Sequence, residues 1–316
     1  MTTDGFSGPD ASDGGSDGSA ADVQDAGNGD ATDASGIDIV VTGQTGVTNL
    51  VASATDLYWT TPFPSASVKT CPLSSCGKPT TIASGGKPTA IAYSDRAFWG
   101  QDDGLSYATS PTNTAAHCVT SLDVVAVAAA DGLEFYVQTD GVVVLVQSWA
   151  SCGTTGVGSG ANAIATKGGA FAWPATSSVR YCGKDGCPST GDLVASDGAN
   201  AVALDDAYLY WTTKDGRVRN ATHDTTSVTG SPQDIATGFP DPAGVAPDNT
   251  SPYVYFTSRG TAVKSYLDGM VGKVAKSGGA VTVIASDLPH PEGIIVTATH
   301  VIWANSYDGT IRRAPK

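Results

Sequence analysis

The stretch Tyr-Leu-Tyr-Trp-Thr-Thr at residues 208–213 decides the fold, because a phrase of the same shape recurs along the whole chain. Each copy is a short run of β-branched and aromatic residues centred on one large ring, which favours a strand. The rings are 37 to 47 residues apart and fall at Trp59, Trp99, Tyr136, Trp173, Trp211, Phe256 and Trp303. A period near 40 residues indicates repeated units that pack on their neighbours.

The segments around each aromatic phrase also repeat. About ten residues before the ring runs a strand of small apolar residues, such as Ala90-Ile91-Ala92 in the second copy. After the ring comes a turn, often Asp-Gly as at 215–216, and then two more β segments. Four antiparallel strands in each forty-odd residues predict one blade of a β-propeller, with small residues at the crowded axis and the ring between neighbouring sheets. Seven copies predict seven blades.

The last copy is incomplete, and this predicts how the ring of blades closes. Only thirteen residues follow Trp303, which is enough for one more strand but not for two. Residues 37–43 resemble the fourth strands of the other copies. We therefore expect them to pair with the C-terminal strand near residues 310–312 and to cover an edge that would otherwise invite aggregation. The predicted propeller spans residues 37–316.

Composition supports an all-β fold and narrows the choice of partners. The chain has 316 residues, of which only 15% are charged, with 38 glycines and two glutamates. Its net charge of −14 argues against nucleic acid or an anionic membrane as the main partner. Residues 1–36 contain eight Asp but no Lys, Arg or Glu, which predicts a disordered acidic tether. No apolar stretch is long enough to span a membrane. We also expect the protein to be a monomer.

Three segments resemble the blade phrases of the YWTD and NHL families of β-propellers. They are Leu57-Tyr58-Trp59-Thr60, Leu209-Tyr210-Trp211-Thr212 and His290-Pro291-Glu292-Gly293-Ile294. The resemblance extends roughly over residues 37–316 and implies a seven-bladed propeller, although the strict Tyr-Trp-Thr-Asp tetrad never occurs. These families include receptor ectodomains, scaffolds, lactone hydrolases and a streptogramin lyase, so the fold does not select one function.

Six cysteines lie on the outer part of predicted blades one to four. They are Cys71, Cys76, Cys118, Cys152, Cys182 and Cys187. The pairs 71/76 and 182/187 have the same spacing, and we expect each to close a hairpin as a disulfide. The other two would pair across neighbouring outer strands. Fifteen connectivities remain open, and zinc binding or free buried thiols are the alternatives.

Disulfides would place the protein in an oxidising compartment. The acidic tether resembles those that follow the lipid-bearing cysteine of bacterial lipoproteins. We therefore expect a secreted, periplasmic or surface-tethered bacterial protein, and the tether is consistent with a lipid anchor upstream of the chain.

Polar residues before the innermost strands predict a ligand site, because in a propeller these positions gather at one mouth of the central channel. The candidate binding residues, including two from the loops between second and third strands, are Asn49, Thr89, Asp123, Asn162, Asn200, Asp241, Glu292, Asn305 and Tyr307. The same loops add Gln101, Asp102, Lys214 and Arg259. Oxygen-rich side chains suit a polar small molecule, a sugar, or a hard cation such as Ca²⁺ or Mg²⁺. The alternative is that they only cap turns.

Catalytic candidates are few. His290 and Glu292 flank a proline and could act as a base and its orienting carboxylate. The streptogramin lyase of similar fold also uses a histidine and Mg²⁺ near the channel mouth, but its motif matches this chain only at Pro291-Glu292-Gly293.

We interpret the chain as an extracytoplasmic binding or scaffold module that recognises a protein, peptide or glycan at the channel mouth. The alternative is a metal-dependent hydrolase or lyase with its site at the same mouth. A third interpretation is an envelope scaffold whose outer blade edges engage partners.

Overall fold

The computed structural model is a ring of seven four-stranded antiparallel sheets. It describes residues 36–62, 64–109, 116–119, 122–148, 153–161, 163–185 and 191–316. Within these residues, no helix is long and apolar enough to cross a membrane. The predicted all-β, seven-bladed architecture is therefore confirmed, whereas the predicted disorder of residues 1–36 falls almost wholly outside the described residues and stays a prediction.

The first strand of the chain, β1 (Asp38–Val41), belongs to the last blade. In each of the first four blades, the strands then follow one another from the channel outward. Blade 1 contains β2 (Asn49–Ala52), β3 (Asp56–Thr61), β4 (Ser67–Pro72) and β5 (Thr80–Ser84). Blade 2 contains β6 (Ala90–Tyr93), β7 (Ala97–Gln101), β8 (Gly104–Ala108) and β9 (Ala116–Val119). Blade 3 contains β10 (Val124–Ala130), β11 (Leu133–Gln138), β12 (Val143–Ser148) and β13 (Gly153–Gly158). Blade 4 contains β14 (Ala165–Lys167), β15 (Ala170–Ala175), β16 (Ser178–Cys182) and β17 (Asp192–Ala195).

The remaining three blades follow the same order. Blade 5 contains β18 (Ala199–Leu204), β19 (Tyr208–Thr213), β20 (Arg217–Thr222) and β21 (Gln233–Thr237). Blade 6 contains β22 (Pro242–Pro247), β23 (Tyr253–Ser258), β24 (Gly269–Ala275) and β25 (Thr282–Leu288), with one turn of 3₁₀ helix (Ala262–Lys264) between β23 and β24. Blade 7 contains β26 (Pro291–Val296), β27 (His300–Asn305) and β28 (Thr310–Pro315), and β1 completes it.

The N-terminal strand closes the ring as predicted. β1 pairs antiparallel with β28, with Asp38 opposite Arg313 and Val41 opposite Ile311. The Arg313 Nε atom donates to the Asp38 carboxylate at 3.0 Å, and both side chains are mostly buried. One sheet therefore contains both ends of the propeller.

The seven aromatic landmarks all lie in the second strand of a blade and are buried, with at most 3% of each residue exposed. Trp303 shows what they do. It packs in one apolar cluster with Tyr255, Val271 and Ala285 of the preceding blade. The prediction that these rings fill the gap between neighbouring sheets is confirmed.

One of the three expected disulfides is established by the described residues. Cys71 in β4 is bonded to Cys76, five residues later, and the bridge lies between the third and fourth strands of blade 1 as expected. Cys182 is also disulfide-bonded. Its expected partner Cys187 and the cysteine at 152 lie outside the described residues, and so does the side chain of Cys118 in β9. Their pairing stays a prediction.

Two buried carboxylates bind neighbouring blades together on the face opposite the predicted ligand site. Asp205, in the turn after β18, accepts from Lys276 Nζ of blade 6 at 2.8 Å. Asp248, in the corresponding turn of blade 6, accepts from Lys316 Nζ of blade 7 at 2.8 Å. Burial acts to raise the pKa of each carboxyl, but the hydrogen bonds from lysine, hydroxyl and backbone groups outweigh it and hold the pKa below its usual value.

These two carboxylates predict a loss of stability in acid. Because their folded pKa values are depressed, their contribution is fully present above the unfolded pKa of about 3.9 and is lost as pH falls through the folded values. We expect the melting temperature to fall below about pH 4, as measured by calorimetry from pH 7 to pH 2.5. The variant Asp248→Asn should show a shallower fall than wild type, and the exposed control Asp206→Asn should match wild type. Parallel curves for all three proteins would contradict the assignment.

Candidate functional site

The innermost strands surround a central cavity of about 340 Å³. Its wall is largely made of small side chains, and its polar lining includes Asn49, Asn200, Arg259 and Glu292. The small residues at the axis were predicted from the sequence. Asn49, Asn200 and Glu292 were predicted just before the innermost strands and lie within the first two residues of β2, β18 and β26. Their role as a ligand site stays a prediction.

Three of the predicted binding residues connect one blade to the next. Asn49 Nδ2 donates to the carbonyl oxygen of Thr89 at 2.8 Å, and the Thr89 hydroxyl donates to the carbonyl oxygen of Val124 at 2.5 Å. Asn200 Nδ2 donates to the carbonyl oxygen of Pro242 at 2.7 Å. Within the described part of the chain, the amide oxygens of the two asparagines make no hydrogen bond, so only these oxygens are available to a ligand.

A charged group lies at the mouth on blades 6 and 7, and we call Asp241, Arg259, His290, Glu292 and Tyr307 the mouth cluster. Arg259, directly after β23, donates from Nε and Nη2 to the two oxygens of Glu292, both at 2.9 Å. Its Nη1 atom lies 3.1 and 3.2 Å from the two oxygens of Asp241. Bidentate pairing of this kind fixes the plane of the guanidinium.

The environment of the pair stabilises its charged forms. Burial acts to raise the pKa of Glu292, but hydrogen bonds from His290 and Arg259 outweigh it and lower that pKa. Burial likewise acts to lower the pKa of Arg259, and its pairing with Glu292 and Asp241 raises it overall. Both groups are therefore ionised at neutral pH.

His290 is oriented by its neighbours. Its Nδ1 atom lies 3.0 Å from Glu292 Oε1 and 2.9 Å from Ser306 Oγ. Because the Ser306 hydroxyl donates to the His290 carbonyl oxygen at 3.1 Å, the hydrogen-bond network assigns the ring proton to Nδ1. Among the described residues Nε2 has no partner. The imidazole also stacks on Tyr307, with ring centroids 4.4 Å apart and planes 6° from parallel.

A ten-residue loop stands beside the mouth cluster, and we call residues 259–268 the lip loop. It is the longest connection between second and third strands. Its ends are tied where Asp268 accepts from the Thr261 backbone N–H at 2.7 Å and from the Thr261 hydroxyl at 2.8 Å. The ring of Tyr266 meets those of His290 and Tyr307 edge-on, at 5.1 and 6.3 Å between centroids.

Left-handed backbone conformations concentrate in the same place. Seven non-glycine residues of the described chain have positive φ, and four of them belong to the mouth cluster or the lip loop. These four are Asp241 at 46°, Ser265 at 54°, Tyr266 at 58° and His290 at 59°. Each such residue costs about 1 kcal/mol or more, and residues of this kind cluster at functional sites.

The other predicted site residues are placed differently. Asn305 is fully buried, since it follows Trp303 by two residues on the same face of β27, and its Nδ2 donates to Thr310 Oγ1 at 3.0 Å. Asp123 is exposed just before β10. Asn162 lies outside the described residues. The sequence analysis did not identify Tyr266 or Ser306. The only sign of Tyr266 in the sequence is the long connection that follows the strand of Phe256.

The described residues do not fit a divalent cation at this mouth. No group of three or more His, Cys, Asp or Glu among them could hold a metal ion. The carboxylates of Asp241 and Glu292 already face a guanidinium, which supplies the positive charge that a metal would bring.

Solved structures of similar shape support the ring architecture. Virginiamycin B lyase from Staphylococcus aureus superposes with a TM-score of 0.67 at 12% identity, covering 88% of this chain and 97% of that one. A catalytically inactive histidine-to-alanine variant of that enzyme with quinupristin gives 0.68 at 11%, covering 88% and 98%. This chain is a β-propeller. The WD40 β-propeller domain of Doa1 is also similar, with a TM-score of 0.65 at 12% identity, covering 88% and 96%.

No protein-family model matches the chain, and no curated protein sequence matches it significantly. At identities this low, the structural similarities show the propeller fold alone, and the function has to be argued from the mouth cluster.

Proposed function

We propose that this propeller is an extracytoplasmic binding or scaffold module that recognises a protein, peptide or glycan at the mouth cluster. The convergence of four left-handed residues on one small area carries the proposal. Strained backbone persists only where the surroundings impose it, and function is the usual reason for keeping it. The other three such residues of the described propeller, Lys87, Asp131 and Asp287, belong to neither the mouth cluster nor the lip loop.

The chemistry of the mouth cluster suits recognition. Tyr307 is 53% exposed and presents a flat ring that His290 supports from behind. The carboxylate of Asp241 is also accessible, with 38% of its side chain exposed, while Arg259 holds it in place. A ligand would therefore contact an aromatic ring and a carboxylate held in place beside it. Aromatic anchors and a few fixed polar groups are common in binding sites.

The extracytoplasmic part of the proposal draws on the cysteines and the tether. The bridge between Cys71 and Cys76 closes a short surface loop, and disulfides of this type persist in oxidising compartments. The acidic segment at residues 1–36 would hold the propeller away from an anchor. Secretion and a lipid anchor both belong to this proposal.

A pair of matched tyrosine variants tests the site. The full chain is screened against a glycan array and a displayed peptide library, and the best ligand is measured by calorimetry. Tyr307→Ala should weaken binding by about tenfold or more, because exposed aromatic anchors typically contribute over 1 kcal/mol. Tyr253→Ala removes a similarly exposed ring on the opposite face and should leave affinity unchanged. Equal losses in both variants, or no ligand in either screen, would contradict the proposal.

A lyase or hydrolase is the second candidate, favoured by the 3.0 Å contact between His290 Nδ1 and Glu292 Oε1. With Nδ1 protonated, Nε2 is free to take a proton from substrate or water, and Glu292 would stabilise the imidazolium that forms. The similar structure with quinupristin suggests the first compound to try. Consumption of quinupristin, followed by mass spectrometry and lost in His290→Ala, would support this candidate. No consumption by the wild-type protein would count against it.

A further inference from the structure

The lip loop exposes aliphatic side chains beside the mouth cluster. Val263 is 92% exposed and Leu267 is 55% exposed, close in sequence to the ring of Tyr266 that contacts Tyr307. Of the seven large hydrophobic residues that are exposed in the described chain, three belong to the lip loop or the mouth cluster. Single exposed apolar residues are ordinary, whereas several of them close together in the chain beside a polar site are a reason to look for an interaction surface.

The lip loop is held in its conformation before any partner arrives. Asp268 ties its two ends together through Thr261, and the backbone N–H of His290 donates to the carbonyl oxygen of Tyr266 at 2.9 Å. Ser265 and Tyr266 are kept in the left-handed region. A loop that is ordered in advance loses less entropy on binding, so its exposed side chains contribute more affinity.

Charge distinguishes the kinds of partner. In the mouth cluster, the carboxylates of Asp241 and Glu292 share the single guanidinium of Arg259. Glu292 receives two donors from that guanidinium and one from His290, and is only 15% exposed, which leaves Asp241 as the accessible carboxylate. The chain as a whole carries a net charge of −14. With Asp268 and Lys264 of the lip loop included, the surface has three carboxylates and two cations, Arg259 and Lys264. A basic group is therefore its complement.

We propose that this surface binds a peptide segment of a partner protein that carries a Lys or Arg beside an aliphatic or aromatic residue. The basic group pairs with Asp241, and the apolar side chain packs on Val263, Leu267 and Tyr307. The aliphatic lip favours a peptide over a glycan, because methyl groups leave sugar hydroxyls without hydrogen-bond partners. This inference rests on the proposed function and names the ligand class for the same site.

A displayed library of random dodecapeptides, selected on the full chain, tests the inference. We expect the enriched sequences to combine Lys or Arg with Leu, Ile, Val or Phe. The best peptide, made synthetically, should lose about tenfold or more in affinity with Val263→Ser/Leu267→Ser and with Asp241→Asn. Asn tolerates the left-handed conformation at that position. The control Val283→Ser/Leu193→Ser changes two similarly exposed residues elsewhere and should bind normally. Replacing the basic residue of the peptide by Glu should abolish binding.

The outcomes separate this inference from the proposed function. Enrichment of acidic or uncharged peptides, or full affinity in the lip variant, overturns the inference. Binding of glycans alone also overturns it, yet leaves the mouth as the site if Tyr307→Ala still removes the binding. Failure of both peptides and glycans to bind overturns the two together.

Discussion

A chain that begins at residue 44 is expected to aggregate or to melt far below the full protein. The deletion removes β1, and with it the fourth strand of blade 7, the ion pair between Asp38 and Arg313, and the buried side chains of Ile37 and Val41. Each of those two side chains contributes about 1.5–3 kcal/mol. Together with the lost strand pairing, this approaches the whole stability of an ordinary domain, roughly 5–15 kcal/mol. It also leaves the edge of β28 open.

Calorimetry and light scattering measure this prediction, and a shorter deletion is its control. Removing only residues 1–35 takes away the predicted tether and no part of the described propeller. That protein should melt within about 2 °C of the full chain and remain monomeric, because a segment predicted to be disordered is expected to contribute little to stability. Equal melting of the two deletions would show that β1 does not close the ring.

The second large effect is expected from Arg259→Met. The change leaves Glu292, 15% exposed, and Asp241 without their guanidinium while filling most of its volume. Removing one partner of a largely buried ion pair costs about 3–5 kcal/mol, and partial exposure places this case at the lower end. Urea unfolding at pH 7.5 measures the loss.

A compensating variant separates charge from packing at this site. Arg259→Met/Glu292→Gln removes both charges and should recover much of the stability, because no unpaired buried carboxylate remains. In Arg259→Met alone, the pKa of Glu292 should rise above its unfolded value, so the destabilisation should shrink as pH falls from 7.5 towards 5. A double variant no more stable than the single one, together with a loss that does not vary with pH, would contradict this account of the pair.

The sequence predicted the ring of blades because the residues that specify each blade are local and repeat along the chain. One ring in each second strand, as at Trp303, and one run of small residues in each first strand suffice to specify a blade. The closing strand followed from a count of the residues after Trp303. The bridge from Cys71 to Cys76 was expected because the same five-residue spacing recurs at 182/187 in another blade.

The site was predicted less completely, because its contacts depend on how blades sit against each other. Asn49 and Asn200 were interpreted as a ligand-binding ring, and the curvature of the wheel brings a carbonyl of the next blade within reach of each amide. Asn305 was placed at the mouth although strand alternation turns it inward with Trp303. Tyr266 contacts His290 because Ser265 and Tyr266 adopt left-handed backbone conformations. Neither residue is a glycine or asparagine, so the sequence of the lip loop does not predict this turn.

The similar structures explain why the fold alone could not settle function. A lyase and a WD40 domain both superpose on this propeller, with TM-scores of 0.67 and 0.65. Loops on a rigid scaffold carry a disproportionate share of binding and catalytic residues, whereas buried strand residues mainly pack. In this chain those loops bring together one guanidinium, two carboxylates, a histidine and two tyrosines.

Hydrogen–deuterium exchange of the full chain, with and without the tightest ligand from the peptide and glycan screens, tests the central claim most directly. Binding at the mouth predicts slower exchange in the lip loop and at residues 290–293 and 306–309. It also predicts no change around Asp205 and Asp248 on the opposite face. Protection confined to that opposite face or to the outer strands, with none in the lip loop, would contradict it.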